Sequence, residues 1–121
     1  MMLATALQAG NANLSWDYNF VAEPSVQSFK LYSLPGSNSV FTVNNANAFS
    51  VTLVQRANAL SQAGVSNQVT TNLTATVSNL TAGWWTFTAT AISTNAGLES
   101  LNSTSTNGAV RPGRVWNINV E

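Results

Sequence analysis

The 121-residue chain contains no cysteine and no histidine, and only 7% of its residues are charged. Without cysteine it has no disulfide and no thiolate metal site, and without histidine no imidazole base, proton shuttle or ligand. The acids are Asp17, Glu23, Glu99 and Glu121, the bases Lys30, Arg56, Arg111 and Arg114, and the net charge is zero. Four scattered cations do not form the basic stripe that phosphate neutralisation requires, which argues against nucleic-acid binding. No apolar run approaches the ~20 residues of a membrane helix. The N-terminus (Met-Met-Leu-Ala-Thr-Ala-Leu-Gln) lacks the basic and apolar regions of a signal peptide. Because the chain opens on Met, the expectation is a complete gene product.

Asn, Ser and Thr make up more than a third of the chain and supply the polarity that charge does not. Near-zero net charge does little to oppose association, so this composition points to life within an assembly.

The most informative stretch is residues 80–97. In a strand, successive side chains face opposite ways. Trp85, Phe87, Ala89 and Ala91 then share a core face, and Trp84, Thr86, Thr88 and Thr90 share the other. Residues 3–8, 12–18, 26–34, 39–43, 48–55, 68–78 and 98–106 also read as strands. On 26–34, Phe29 and Leu31 face one way and Lys30 and Tyr32 the other. Pro35-Gly36-Ser37-Asn38 and Asn107-Gly108 read as turns, and Arg56–Gln62 as a short helix ended by Ala63-Gly64. Short alternating strands with almost no helical periodicity argue for an antiparallel β-sandwich forming one domain.

Three pieces, in order, resemble the fibronectin type III family. Leu14-Ser15-Trp16 is similar to the Leu-x-Trp of its second strand. Val26, Phe29 and Leu31 are similar to the spaced apolar positions of its third. Val77-Ser78-Asn79-Leu80-Thr81-Ala82-Gly83, followed by Trp85-Thr86-Phe87-Thr88-Ala89-Thr90-Ala91 and Asn95-Ala96-Gly97, resembles its E–F corner and F strand. The chain departs from the pattern twice. Trp85 stands where the family usually has the corner Tyr, and residues 44–67 are longer than the usual link between strands C′ and E. The resemblance implies an all-β, antiparallel immunoglobulin-like sandwich of about seven strands over residues 1–110, with residues 111–121 as a C-terminal extended tail. It also implies a non-catalytic spacer, adhesion or docking unit, of the kind found in tailed-phage virion proteins and in secreted bacterial polysaccharide hydrolases.

Enzymatic chemistry finds little footing. Asp17 and Glu23 are the only acids close in sequence, and nothing evident activates a hydroxyl nucleophile. Asp17, Asn19 and Glu23 lack the carboxylate density of a calcium loop. Four Asn-x-Ser/Thr triplets, at Asn13, Asn72, Asn79 and Asn102, are what chance produces in so Asn- and Thr-rich a chain. The expectation is therefore no catalytic residue, metal or cofactor.

The candidate interface residues are Trp84, Tyr32, Arg111, Arg114, Trp116, Ile118 and Val120. An exposed Trp84 would anchor a protein contact or stack on a sugar, with Tyr32 as a second stacking platform. The competing reading packs Trp84 inside its own subunit. Beyond Arg111-Pro112-Gly113-Arg114, the side chains Trp116, Ile118 and Val120 share one face of an extended segment, suited either to folding back or to adding a strand to a neighbour. Two functions remain open. One is a virion structural protein (capsid decoration, neck, tail or fibre-associated) binding other virion proteins or copies of itself. The other is an extracellular adhesive or carbohydrate-binding module.

Overall fold

In the computed structural model, residues 3–8, 10–63, 70–94 and 97–112 are described. They contain seven strands: β1 (Leu3–Gln8), β2 (Asn11–Asn19), β3 (Val26–Pro35), β4 (Ser50–Gln55), β5 (Thr70–Val77), β6 (Gly83–Ser93) and β7 (Thr106–Val110), with one helix, α1 (Arg56–Ala63). All pairings between them are antiparallel. The strands form two sheets, β1-β2-β5 and β4-β3-β6-β7.

The core follows from strand parity. Leu14 and Trp16 of β2 with Leu73, Ala75 and Val77 of β5 face Phe29 and Leu31 of β3 and Trp85, Phe87, Ala89 and Ala91 of β6, all buried. Trp16 meets Phe29 edge-on at 5.3 Å between ring centroids, an arrangement aromatic quadrupoles favour. α1 follows β4 directly and packs against β5, β4 and β3, joining one sheet to the other. It contributes Ala59 and Leu60 to the core, and Arg56 caps the Phe20 ring at 3.8 Å.

The long segment before α1 is shaped by asparagine. Among the described residues, every non-glycine residue with positive φ is Asn: Asn38, Asn44, Asn45 and Asn79. Asn tolerates this region because its short polar side chain can bond locally. Residues 39–42 consequently form a loop that runs into a 3-10 turn, Val43–Asn45, rather than the expected strand over 39–43. Asn47 holds that loop, accepting from the Thr42 amide at 2.8 Å and donating to the Val40 carbonyl at 3.0 Å.

Two further expectations are corrected. Residues 98–105 form an irregular strap with a single isolated β-bridge to the sheet, Ile92 to Glu99, in place of a continuous ladder, and the last strand begins only at Thr106. Asn107-Gly108 is no turn, because it lies within β7 opposite Thr86 and Trp85. The Asn107 side chain accepts from the Asn38 amide and from Thr86 Oγ1 and donates to Asn38 Oδ1, which ties β7 to the turn after β3.

Candidate binding surface

The surface that matters is the outer face of β4-β3-β6-β7, where the threonines of β6 point. They are not solvent-facing. Thr86, Thr88 and Thr90 are as buried as the core residues between them, so β6 is enclosed on both sides. What covers them is polar. Thr88 Oγ1 donates to the Ser103 carbonyl (3.0 Å), and Ser103 exchanges two further bonds with Ala89, accepting from its amide through Oγ and donating to its carbonyl. Ser100 does the same with Ala91. Thr86 Oγ1 donates to the Gly36 carbonyl, and Ser39 N donates to Thr86 Oγ1. The strap and the turn after β3 therefore satisfy the buried hydroxyls one by one, which is the condition for burying them at small cost.

Glu99 is the hub of that strap. Its Oε2 accepts from Tyr32 OH (2.5 Å) and Thr90 Oγ1 (2.7 Å), and its Oε1 lies 3.6 Å from Lys30 Nζ. Burial pushes its carboxyl upward in pKa. The bonds from Tyr32 and Thr90 and the Lys30 ammonium outweigh that, so the group titrates below its ordinary 4.5. Tyr32 titrates above its ordinary 10.0, first because burial disfavours the phenolate and then because its hydroxyl donates to Glu99.

Tyr32 thus lies on the face expected of it but is only 5% exposed. Its hydroxyl donates to Glu99, so little of the side chain is open for stacking. The other indole-bearing candidate differs. Trp84 is 58% exposed. Its neighbour Trp85 is 2% exposed, with Nε1 donating to the Thr81 carbonyl four residues upstream at 2.9 Å. Arg111 is exposed just beyond β7. Arg114, Trp116, Ile118 and Val120 lie outside the described residues.

Two features were missed in the sequence. A groove of about 530 Å³ lies between residues 41–45 and 99–102, lined by Phe41, Val43, Asn45, Glu99, Leu101 and Asn102 among others. Among its lining residues the amides of Asn45 and Asn102 donate to each other, both at 3.0 Å, and Val43 and Leu101 are exposed. The second feature is the edge strand β4, where Val51 and Leu53 are exposed on the outer face while Val54 enters the core. The alternation of 48–55 signalled this one, although not which face would stay open.

Around the loop considered for calcium, Asn19 Oδ1 accepts from the amides of Val21 and Ala22, and Asp17 accepts from Asn72 across β2 and β5. Among the described residues, no three acidic side chains cluster. Comparison with protein-family models, with curated proteins and with solved structures returned no match to this chain.

Proposed function

We propose that the chain is a non-catalytic structural module of fibronectin type III type, acting through protein–protein contacts as a component of a tailed-phage virion. Three observations support the fold subtype. β4 pairs with β3 instead of β5, as a C′ strand does and as the fourth strand of a constant-type immunoglobulin sandwich does not. β5 joins β1 and β2, the place of an E strand. At the turn into β6, the Trp85 indole makes the backbone bond that a corner tyrosine makes through its hydroxyl.

The single observation carrying the docking reading is Trp84. A large aromatic more than half exposed, on a sheet face whose other β6 side chains are covered, is the residue type that dominates interface energetics. The virion assignment rests on the neutral, cysteine-free composition and on where the resembling family occurs. Quantitative mass spectrometry of particles purified from a host carrying the gene tests it. Copies in fixed ratio to a major virion protein are expected, with Trp84→Ser reducing incorporation. Particles that contain none of the chain refute the assignment.

The groove between residues 41–45 and 99–102 favours a second reading, an extracellular glycan-binding module, because amides and a carboxylate beside apolar side chains suit a sugar's hydroxyls and its apolar face. Titration across a glycan panel separates the two. Affinity that is lost in Asn102→Ala supports the glycan reading, and flat titrations remove it.

A further inference from the structure

β4 ends its sheet without the devices that usually guard an edge. Ser50-Val51-Thr52-Leu53-Val54-Gln55 itself carries no charge and no proline, and Lys30, opposite Leu53, belongs to the neighbouring strand β3. Among the described residues no strand pairs with its second edge. Exposed Val51 and Leu53 on its outer face alternate with less exposed Ser50 and Thr52 on its inner face.

The segment that complements this edge is in the same sequence. Residues 115–120, Val-Trp-Asn-Ile-Asn-Val, match β4 in length and alternate Trp116, Ile118 and Val120 with Asn117 and Asn119. Set beside β4 with its apolar set outward, the segment places those three side chains next to Val51 and Leu53. The asparagines then neighbour Ser50 and Thr52. A slip of one residue would set apolar against polar, so the pattern fixes register to within two.

The donor is a second copy because the chain cannot reach its own β4. The vacant position beside β4 lies four strand spacings from β7, about 19 Å. Through the pairings of Ser33, Ser50 is level with Phe87, whereas Val110 is level with Gly83, a further offset of about 13 Å along the strands. The direct distance is about 23 Å, and the five steps from Val110 to Val115 span at most about 17 Å. Folding back onto β7 is also disfavoured. Pro112-Gly113 has the chemistry of a type II turn, whose twist splays the strands of a two-residue hairpin, and β1 already lies against β7.

We propose that the free edge of β4 accepts residues 115–120 of a second copy as an added strand, so that copies join head to tail. Such a contact is heterologous and builds rings or filaments. It goes beyond the virion reading and does not depend on it, since absence from particles would leave self-assembly untouched.

The test is complementation by sedimentation velocity with full-length chains. The native protein associates as its concentration rises. Leu53→Lys, which spoils the edge, and the double variant Trp116→Asp with Ile118→Asp, which spoils the donor, each lose that association and remain monomers. Mixed in equal amounts they form a dimer, since one still has an intact edge and the other an intact donor segment. Recovery also shows that both variants are folded, and docking within one chain could not produce it. A native chain that stays monomeric, single variants that assemble like the native chain, or a mixture that stays monomeric would each overturn the proposal.

Discussion

Replacing Glu99 with Gln tests whether the polar strap is a structural part of the sandwich. The carboxylate accepts from two hydroxyls through Oε2 and faces Lys30 through Oε1. A Gln amide oxygen can still accept from both hydroxyls, but as a neutral acceptor, so the charge assistance of two hydrogen bonds is lost, together worth about 1.5–3 kcal/mol when buried. The side chain is 32% exposed, so water recovers part of this, and the half-exposed Lys30 pair adds about 0–1 kcal/mol. The net is about 2 kcal/mol. With unfolding entropy near 2.1 cal/mol/K per residue, a chain of 121 residues loses about 8 °C in Tm. Differential scanning calorimetry across pH adds a second signature. The folded pKa of Glu99 is depressed, so its contribution is fully present above the ordinary 4.5 and is lost as pH falls through the folded value. The gap between native and E99Q melting temperatures should therefore close in acid. An E99Q protein that melts with the native chain near neutrality, or a gap that persists unchanged well below 4.5, refutes the reasoning.

Other consequences follow from the same geometry. Trp85→Phe removes the donor to the Thr81 carbonyl and leaves space in the core, costing about 2–3 kcal/mol. Trp85→Tyr restores a donor and should melt above it; the reverse order in thermal melts would count against the corner assignment. Thr88→Val keeps the shape but strands the Ser103 carbonyl, and chemical denaturation should show a loss of about 1–3 kcal/mol; no loss means the strap is not held there. Trp84→Ser should change stability by less than about 0.5 kcal/mol while weakening partner binding, and a large loss of stability would make Trp84 a packing residue. Above the ordinary 10.0, the raised pKa values of Tyr18 and Tyr32 make stability fall as pH rises through their folded values. Melts that stay flat to strongly alkaline pH contradict their burial.

The inward face of the sandwich could be read from the sequence, because apolar alternation is a local signal. Trp16, Phe29, Leu31, Phe87 and Ala89 occupy the core that parity assigned them, and α1 formed where Arg56–Gln62 suggested. The outward face was not legible. Thr86, Thr88, Thr90 and Tyr32 look solvent-facing because they are polar or amphipathic, yet they are buried against Ser39, Asn107, Ser103 and Glu99, which are polar as well. A buried face that is satisfied by hydrogen bonds leaves no hydrophobic signature. The same applies to Asn107-Gly108, whose turn chemistry is overridden by the three bonds the Asn107 side chain makes across to Asn38 and Thr86. Of the candidate surface, Trp84 could be found from the division of the Trp84-Trp85 pair between two faces. The groove could not, because residues 41–45 and 99–102 are brought together only by the fold.

If this sandwich is the docking unit proposed, its contacts lie at Trp84 and the β4 edge. Imaging the native assembly at side-chain resolution examines both places at once. The expected result is a neighbouring chain against Trp84 and a strand paired to β4, with the strap and Glu99 undisturbed. An assembly in which both Trp84 and β4 face solvent, with contacts made elsewhere, contradicts it.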